Sequence, residues 1–297
     1  MAHASLDLPP RLAVAIGKGG AGKTSVSCNT AGILAKTGWR TLLVCLDPQD
    51  NCGEDLGYSH RNESDDGYAL VQALLHGEPL RPSLTDVRPD LDVVCAGPLL
   101  GEAREEMIRR DVPATVLADA LAPLAVDYDI VVIDCPPVDN RLQMVAMVAS
   151  NWVLAPCGAD LSSRKGLHDL AVEFARAREL NPELTLAGVV LFDLPANATQ
   201  VETHTRAFLE AELGGLAPVF QHYIRTSTAG KAARDRGLLI HELAEMPKPP
   251  WWQIRRGDAV DPGIPESSKK VARDYVDVTA ELLEIINRST EEAQEAR

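Results

Sequence analysis

The feature that most constrains this chain is a glycine-rich loop, Gly17–Thr24, which follows directly on an apolar run at residues 11–16. The loop fits the pattern G-x-x-x-x-G-K-[ST], and apolar side chains recur at helical spacing over residues 24–36. Between a strand and a helix, such glycines let backbone N–H groups point at phosphate oxygens, and the helix adds its positive dipole end. We therefore predict a phosphate-binding loop; the alternative is a glycine-rich turn without a ligand.

Short apolar runs alternate with longer helical patterns along the rest of the chain, which is typical of parallel strands joined by crossover helices. Strands are predicted at residues 11–16, 41–46, 91–95, 130–134, 152–156, 186–192 and 217–221. Helices are predicted at residues 24–36, 67–76, 113–122, 141–149, 164–180, 198–213 and 268–287. The pattern predicts an α/β fold: a doubly wound, mostly parallel twisted sheet with helices on both faces.

The domain organisation follows from where this pattern breaks. We predict a single domain over residues 1–297, with a surface excursion at 246–266, where Pro, Gly and Asp interrupt the periodicity. Residues 267–297 are predicted to form a C-terminal helix with a frayed acidic tail. Trp251 and Trp252 either cap an apolar edge of the domain or mark a partner contact, and we favour the cap because tryptophans usually pack.

Composition limits the function classes. The net charge of −14 means that the molecule as a whole repels nucleic acid and acidic lipid, so any DNA binding must come from a local basic patch. Residues 1–10 lack the pattern of a secretory signal, and no apolar run reaches the roughly 18 residues of a membrane span, so we expect a cytoplasmic protein. The six cysteines form no Cys-x-x-Cys pair and are predicted to be reduced and mostly buried.

Individual residues of the loop and of two strand ends have predictable roles. Lys23 would reach the β and γ phosphates of a nucleotide, and the Thr24 hydroxyl would bind Mg²⁺. Asp47 leaves a carboxylate at the carboxyl edge of the sheet, where ligands bind, and Asp134 ends an apolar strand as a Walker B carboxylate does. The predicted nucleotide-binding residues are Gly17, Lys18, Gly19, Gly20, Ala21, Gly22, Lys23, Thr24 and Ser25.

Lys18 is a second lysine that the phosphate cradle does not require. At the second position of the loop its side chain can point away from its own nucleotide, and its charge is most useful if phosphates approach from another subunit. This interpretation implies a dimer, and the alternative is a solvated surface lysine.

These motifs together resemble those of the deviant Walker A group, and within it the ParA-type partition ATPases. Residues Lys18–Thr24 match the family's K-G-G-x-G-K-[ST] signature, with Lys18 at the position of the signature lysine. Asp47-Pro48-Gln49 is similar to the family's D-x-D-P-Q-G-N segment, although Cys45 replaces the first aspartate and Asp50 stands where glycine is usual. Residues 134–137 are similar to its D-x-P-P switch, and the likeness covers about residues 11–245.

The resemblance implies a fold of the P-loop type and an activity. Two subunits would sandwich two ATP molecules with Mg²⁺, held by Thr24, Asp47 and Asp134, and hydrolyse ATP to ADP and phosphate. The catalytic residues would be Lys18, reaching across to the partner's phosphates, Lys23, and Asp47, orienting the attacking water. Such an ATPase is nucleoid-associated when it holds ATP, is stimulated by a ParB-like or other partner, and segregates plasmids or chromosomes or positions cargo. Phe192 and Asp193 end a strand near the expected adenine pocket.

A basic cluster at Arg225, Lys231, Arg234 and Arg236, opposed in sequence only by Asp235, is the candidate DNA-binding site. In the family this region grips DNA phosphates without reading sequence, and the alternative is a solvated helix face with ion pairs. Since only ten residues precede the first strand, we expect no N-terminal helix-turn-helix and hence non-specific binding.

Two relatives of the same fold offer other functions. A MinD-like membrane-cycling ATPase needs a basic amphipathic C-terminal helix, yet residues 271–287 are rich in acid, so we do not expect a membrane partner. Iron–sulfur relatives need a cysteine pair at the dimer axis, and Cys135 has no Cys-x-x-Cys mate.

Overall fold

A computed structural model describes residues 8–137, 139–195, 199–257 and 263–295. Part of the predicted surface excursion, residues 258–262, lies outside the described residues, as do residues 1–7 and the last two residues of the acidic tail.

Strands and helices alternate along most of the chain. The strands are β1 (Arg11–Val14), β2 (Thr41–Cys45), β3 (Leu84–Arg88), β4 (Leu91–Val94), β5 (Ile130–Asp134), β6 (Trp152–Cys157), β7 (Thr185–Leu194) and β8 (Ile224–Arg225). The helices are α1 (Lys23–Lys36), α2 (Asn51–Leu56), α3 (Tyr68–His76), α4 (Pro98–Arg109), α5 (Val116–Ala125), α6 (Asn140–Val148), α7 (Leu161–Leu180), α8 (Thr199–Leu213), α9 (Ala229–Arg234), α10 (Ile240–Glu245), α11 (Trp251–Arg256) and α12 (Ser268–Glu295).

The strands form one eight-stranded sheet in the order β3-β4-β2-β5-β1-β6-β7-β8. All neighbouring strands are parallel except β3 and β4, which are antiparallel. Every residue of β2, β5 and β6 is buried, so both faces of the central sheet are covered. One group of helices, α3 to α7, packs together, and a second group contains α1, α2, α9, α10 and α12. The predicted doubly wound, mostly parallel fold is confirmed.

Some sequence-based elements are wrong or incomplete. The strand predicted at 217–221 is only an isolated bridge between Val189 and Val219, and the last strand of the sheet is β8. Strand β3 was not predicted because its sequence, LTDVR, is polar and partly exposed, as an edge strand can be. The C-terminal helix continues beyond residue 287 to Glu295.

The two tryptophans of α11 do not cap an apolar edge, so the favoured interpretation of them is wrong. Trp251 is 70% exposed and Trp252 is 44% exposed. The guanidinium of Arg256 lies 5.6 Å from the centre of the Trp252 ring. Packing against the apolar core therefore does not explain why two tryptophans stand at these positions.

Candidate nucleotide-binding site

The predicted site residues converge because the central strands of the sheet are β2, β5 and β1, side by side. In their registers, Asp134 pairs with Cys45 of β2 on one side and with Val14 of β1 on the other. The segments that leave the carboxyl ends of these strands therefore start at one edge, where open parallel sheets bind ligands.

The glycine-rich loop approaches its neighbours too closely for side chains at some positions. Gly22 has a φ of 86°, and a Cβ atom there would lie 2.4 Å from the Phe192 ring. The backbone N–H of Gly17 donates to the Gly166 carbonyl at 3.1 Å, which ties the start of the loop to α7. Helix α1 begins at Lys23 with Gly22 as its N-cap, so no capping side chain accepts a hydrogen bond from the N–H groups of its first turn. Such a helix start is suited to an anion.

Lys23 is buried at the base of the loop, with only 6% of the residue exposed. Its Nζ atom donates to the carbonyl oxygen of Lys18 at 2.7 Å. Burial lowers the pKa of Lys23, and the negative charge of Asp134 opposes that shift. The ammonium group thus lies against the loop's own backbone, within the wall of the cavity described below.

Asp134 is fully buried behind the first turn of α1. Thr24 Oγ1 donates to its Oδ2 atom at 2.9 Å, and Ser27 Oγ donates to its Oδ1 atom at 2.9 Å. Cys52 Sγ lies 3.4 Å from the same Oδ2 atom. Burial raises the pKa of Asp134 to about 6, against these hydrogen bonds. The sequence analysis did not identify Ser27 or Cys52; the spacing of Ser27 one turn after Lys23 was the available signal.

Asp47 lies directly after β2 and is 6% exposed. Its Oδ1 atom accepts from the backbone N–H of Gln49 at 3.0 Å, and Asn51 Nδ2 lies 3.5 Å from Oδ2. These contacts fix the carboxylate at the mouth of the loop.

A cavity of about 390 Å³ lies between the glycine-rich loop and the segments that follow β2 and β5. Its lining residues are Gly20, Gly22, Lys23, Thr24, Ser25, Asp47, Asn51, Pro137, Phe192 and Arg234. The structure thus brings together Lys23, Thr24 and Asp47 as the sequence predicted, with Asp134 hydrogen-bonded behind Thr24. Phe192, which the sequence analysis placed near an adenine pocket, lines the same cavity, as does Arg234, which was not predicted there.

The oxygens of Thr24, Asp47 and Asp134 are hard donors of the type that Mg²⁺ prefers. Across the described ranges, no group of three or more His, Cys, Asp or Glu side chains could hold a metal on its own. This donor set fits a Mg²⁺ ion that shares its coordination with phosphate oxygens and water.

Lys18 contacts a different part of the molecule. Its Nζ atom lies 2.9 Å from each carboxylate oxygen of Asp160 and 3.1 Å from Ser163 Oγ, at the start of α7. Asp160 also caps α7 by accepting from the Ser163 backbone N–H. The second lysine of the loop therefore pairs within its own chain, so neither interpretation from the sequence described its surroundings.

Asp50 and Cys45, the two residues that depart from the ParA-type pattern, both fit their surroundings. Asp50 has a φ of 46°, the left-handed region that favours glycine and that aspartate also tolerates. Its carboxylate accepts from the Tyr58 hydroxyl at 2.6 Å, and burial raises its pKa to about 7. Cys45 is fully buried in β2 and 4.0 Å from the same hydroxyl, so it serves packing.

The candidate DNA-binding cluster is divided by the fold. Arg225 forms a bidentate pair with the buried Asp274 at 2.6 Å for both contacts, and Arg234 Nε donates to the buried Asp55 at 2.5 Å. The expectation that only Asp235 opposes the cluster is wrong, because these partners come from α12 and α2. Lys231 and Arg236 are exposed on the surface.

The comparisons with known proteins agree with this geometry. A family model described as an AAA domain matches residues 11–186. The chromosome partitioning protein ParA of Myxococcus xanthus is 38% identical over 202 residues, which cover 66% of this chain and 70% of that protein. This chain belongs to the ParA family of P-loop ATPases.

Solved structures extend the likeness of this ParA-family chain to nearly its whole length. McdA of Cyanothece, in complex with ATP, has a TM-score of 0.70 at 20% identity and covers 92% of this chain and 96% of its own. Cobyrinic acid a,c-diamide synthase of Mycobacterium smegmatis, with a bound ATP analogue and magnesium, has a TM-score of 0.64 at 25% identity and covers 86% of this chain and 99% of its own. The family resemblance is confirmed. Within the described parts of the chain, no helix has the length and apolar character to cross a membrane.

Proposed function

We propose that this chain is an ATPase of one domain, residues 1–297, that hydrolyses ATP to ADP and phosphate as an ATP-bridged homodimer. In that state it would bind DNA non-specifically, associate with the nucleoid in the cytoplasm, and segregate a plasmid or chromosome or position another cargo. A ParB-like partner would stimulate hydrolysis. The observation that carries the proposal is the meeting of Lys23, Thr24 and Asp47 in one cavity, with Asp134 behind Thr24.

The loop and α1 would bind the triphosphate. Backbone N–H groups at the start of α1 have no side-chain acceptor, and Lys23 can exchange the Lys18 carbonyl for phosphate oxygens. Because Lys23 is buried, its surroundings have a low dielectric constant, and the attraction between its charge and the phosphate oxygens is correspondingly strong.

Thr24 and Asp134 would hold Mg²⁺, Asp134 mostly through water, with Asp47 nearby. When bound, Mg²⁺ neutralises charge on the phosphate oxygens. Ser27 donates to Asp134 and so fixes the carboxylate that faces the metal site.

Asp47 would orient the attacking water. The water oxygen forms a bond to the γ phosphorus, the bond from that phosphorus to the bridging oxygen breaks, and ADP leaves with phosphate as the other product. Little covalent chemistry is required of the protein, so a carboxylate held in a fixed position beside the water would suffice. The contacts of Asp47 with Gln49 and Asn51 supply that fixation.

Lys18 would complete the site of a second protomer. To reach the partner's phosphates its ammonium group must leave Asp160, and the triphosphate carries more negative charge than that single carboxylate. The dimer is therefore favoured by ATP and not by the nucleotide-free chain.

The experiment that tests the proposal is size-exclusion chromatography with light scattering in ATP–Mg²⁺ and in ADP. We expect an ATP-dependent dimer for the wild type and for D47A, which should bind ATP but turn it over at a strongly reduced rate. K18A should remain monomeric in both nucleotides. Equal masses in every condition would contradict the proposed role of Lys18, and unchanged turnover in D47A would contradict that of Asp47.

A membrane-cycling function has weaker support. The apolar side of α12 is already buried in the domain through Val271, Tyr275, Val278, Leu282 and Ile286. That side would have to unpack from the core before it could enter a lipid surface.

A further inference from the structure

The exposed tryptophans lie in what we call the α11 segment, residues 246–257. Of the four tryptophans in the chain, Trp251 and Trp252 are both exposed, whereas Trp152 is 9% exposed. Large aromatic side chains that are exposed side by side are unusual on a protein surface without a partner. The segment is therefore a candidate contact surface.

The charge of the segment indicates the chemistry of the partner. Its sequence, MPKPPWWQIRRG, contains Lys248, Arg255 and Arg256 and no acidic residue, in a chain with a net charge of −14. The Arg256 guanidinium lies 5.6 Å from the centre of the Trp252 ring, within cation–π range, so this surface presents a cation beside an indole. Such a surface favours an anionic partner that also offers sugar or base faces.

The α11 segment adjoins the exposed part of the predicted DNA-binding cluster. Lys248 of the α11 segment donates from its Nζ atom to the Ile264 carbonyl at 2.9 Å. A Cβ atom at the neighbouring Gly263 would lie 3.6 Å from Arg236 Nη2. At the other end of α9, Ser227 Oγ lies 2.7 Å from Ser267 Oγ, next to the start of α12. The chain between Gly263 and Ser267 thus follows α9 along its length. Exposed cations on these connected elements are Lys231, Arg236, Lys248, Arg255, Arg256, Lys269 and Lys270.

We propose that the α11 segment contacts duplex DNA, with Arg255 and Arg256 on backbone phosphates and Trp251 against the sugars or bases. This inference rests on the DNA binding of the proposed function. It assigns the DNA-binding surface to the α11 segment instead of Arg225 and Arg234, which are ion-paired within the protein. Duplex DNA fits better than a lipid surface because the cations are spread over α9, the α11 segment and the start of α12. A membrane would require a wider apolar face, and the two indoles are flanked by Lys, Gln and Arg.

The test uses the full chain with ATP–Mg²⁺, a fluorescent duplex of arbitrary sequence, and a series of salt concentrations. R255Q/R256Q should weaken binding about tenfold or more. It should lower the slope of log K against log salt by about 2 for each α11 segment that contacts the duplex, since each phosphate contact contributes about 0.9. W251A/W252A should weaken binding about tenfold with the slope unchanged, because the lost indole contacts are apolar and release no counterions. The matched control, R109Q/R110Q, removes two neighbouring arginines at the C-terminal end of α4, in the other group of helices, and should bind like the wild type.

A second measurement reports contact directly. Iodide quenching of tryptophan fluorescence should fall when DNA is added to the wild type with ATP, and this protection should be lost in W251F/W252F. Light scattering on every variant shows whether the ATP-dependent dimer still forms, and so separates a failure of the proposed function from a failure of this inference. A variant that still dimerises with ATP but binds DNA poorly supports the inference.

Three results would overturn the inference. The first is that R255Q/R256Q and W251A/W252A bind DNA like the wild type, which leaves the proposed ATPase dimer intact. The second is that the wild-type dimer forms but does not bind DNA. The third is that vesicles of phosphatidylglycerol, and not DNA, protect the tryptophans from iodide.

Discussion

The Nζ atom of Lys18 is bound by both carboxylate oxygens of Asp160 at 2.9 Å, so the signature lysine pairs with a carboxylate of its own chain. The hydroxyl of Ser162 and then the ammonium of Lys18 lower the pKa of Asp160. The pair is partly exposed, with 26% of the Lys18 side chain and 52% of the Asp160 side chain accessible. Solvent therefore screens it, and its free energy is about 1 kcal/mol or less.

We expect D160N to strengthen the ATP-dependent dimer about two- to fivefold, because the charge that competes with the partner's phosphates is removed. Asparagine is a good N-cap, so α7 should keep its start. Sedimentation equilibrium in ATP–Mg²⁺ measures the effect, and S162A serves as the control because it leaves the carboxylate in place. A weaker dimer in D160N would mean that Asp160 itself belongs to the interface.

Arg225 and Arg234 should behave as structural residues. Replacing either by Gln leaves a buried aspartate without its partner, which should lower the free energy of unfolding by about 2–3 kcal/mol. Lys231→Gln, on the exposed surface, should change it by no more than about 0.5 kcal/mol. Urea unfolding of the nucleotide-free chain measures the three values. Equal stabilities for all three variants would contradict the structural role.

Asp50 should make stability depend on pH. Burial raises its pKa from 3.8 to about 7, so between these values the folded state binds more protons than the unfolded state. The free energy of unfolding therefore falls as pH rises through this window, and the stabilising proton is fully lost above about pH 7.

The variant D50N removes this titration and keeps a residue that tolerates a positive φ. Relative to D50N, the wild type should lose about 2.6 kcal/mol of stability between pH 5 and pH 8, since nearly two pH units of this range lie below the folded pKa and each corresponds to about 1.4 kcal/mol. Y58F, which removes the hydroxyl donor, should move the transition to higher pH. Parallel stability curves for wild type and D50N would refute the prediction.

Gly22 should be required for nucleotide binding. In G22A the new Cβ combines a φ of 86° with a position 2.4 Å from the Phe192 ring, in the wall of the cavity. We expect a loss of ATP affinity of about tenfold or more, measured with a fluorescent ATP analogue. Gly38 is a matched control, because its φ is 91° and a Cβ there would meet no atom within 4 Å. G38A should lower stability and leave ATP affinity unchanged; equal affinity in both variants would contradict the prediction.

Local signals were sufficient to predict the centre of the site. The loop, the apolar strands before Asp47 and Asp134, and the helical pattern after Thr24 all lie in short stretches whose periodicity and motif agree. The parallel sheet then brings the strand ends together, so their proximity followed from the fold class alone.

Long-range ion pairs could not be predicted in this way. Lys18 and Asp160 are 142 positions apart, and Arg234 and Asp55 are 179 positions apart. A charge pattern along the chain describes neighbours in sequence, whereas these partners come from helices brought together by packing. For the same reason Arg225 was interpreted as an exposed cation. Helix α4 was missed although Leu100, Ala103 and Met107 have helical spacing and are buried.

The two edge strands of the sheet are poorly suited to pairing with strands of a neighbouring molecule. At one end β3 has a shifted register against β4, and its Arg88 is tied to Glu242 of α10; at the other end β8 spans only Ile224–Arg225. A neighbouring molecule would find no long, straight row of free amide and carbonyl groups at either margin. Fibril-like stacking through shared strands is thus discouraged, and copies of the protein can meet through their loops and helices without that hazard.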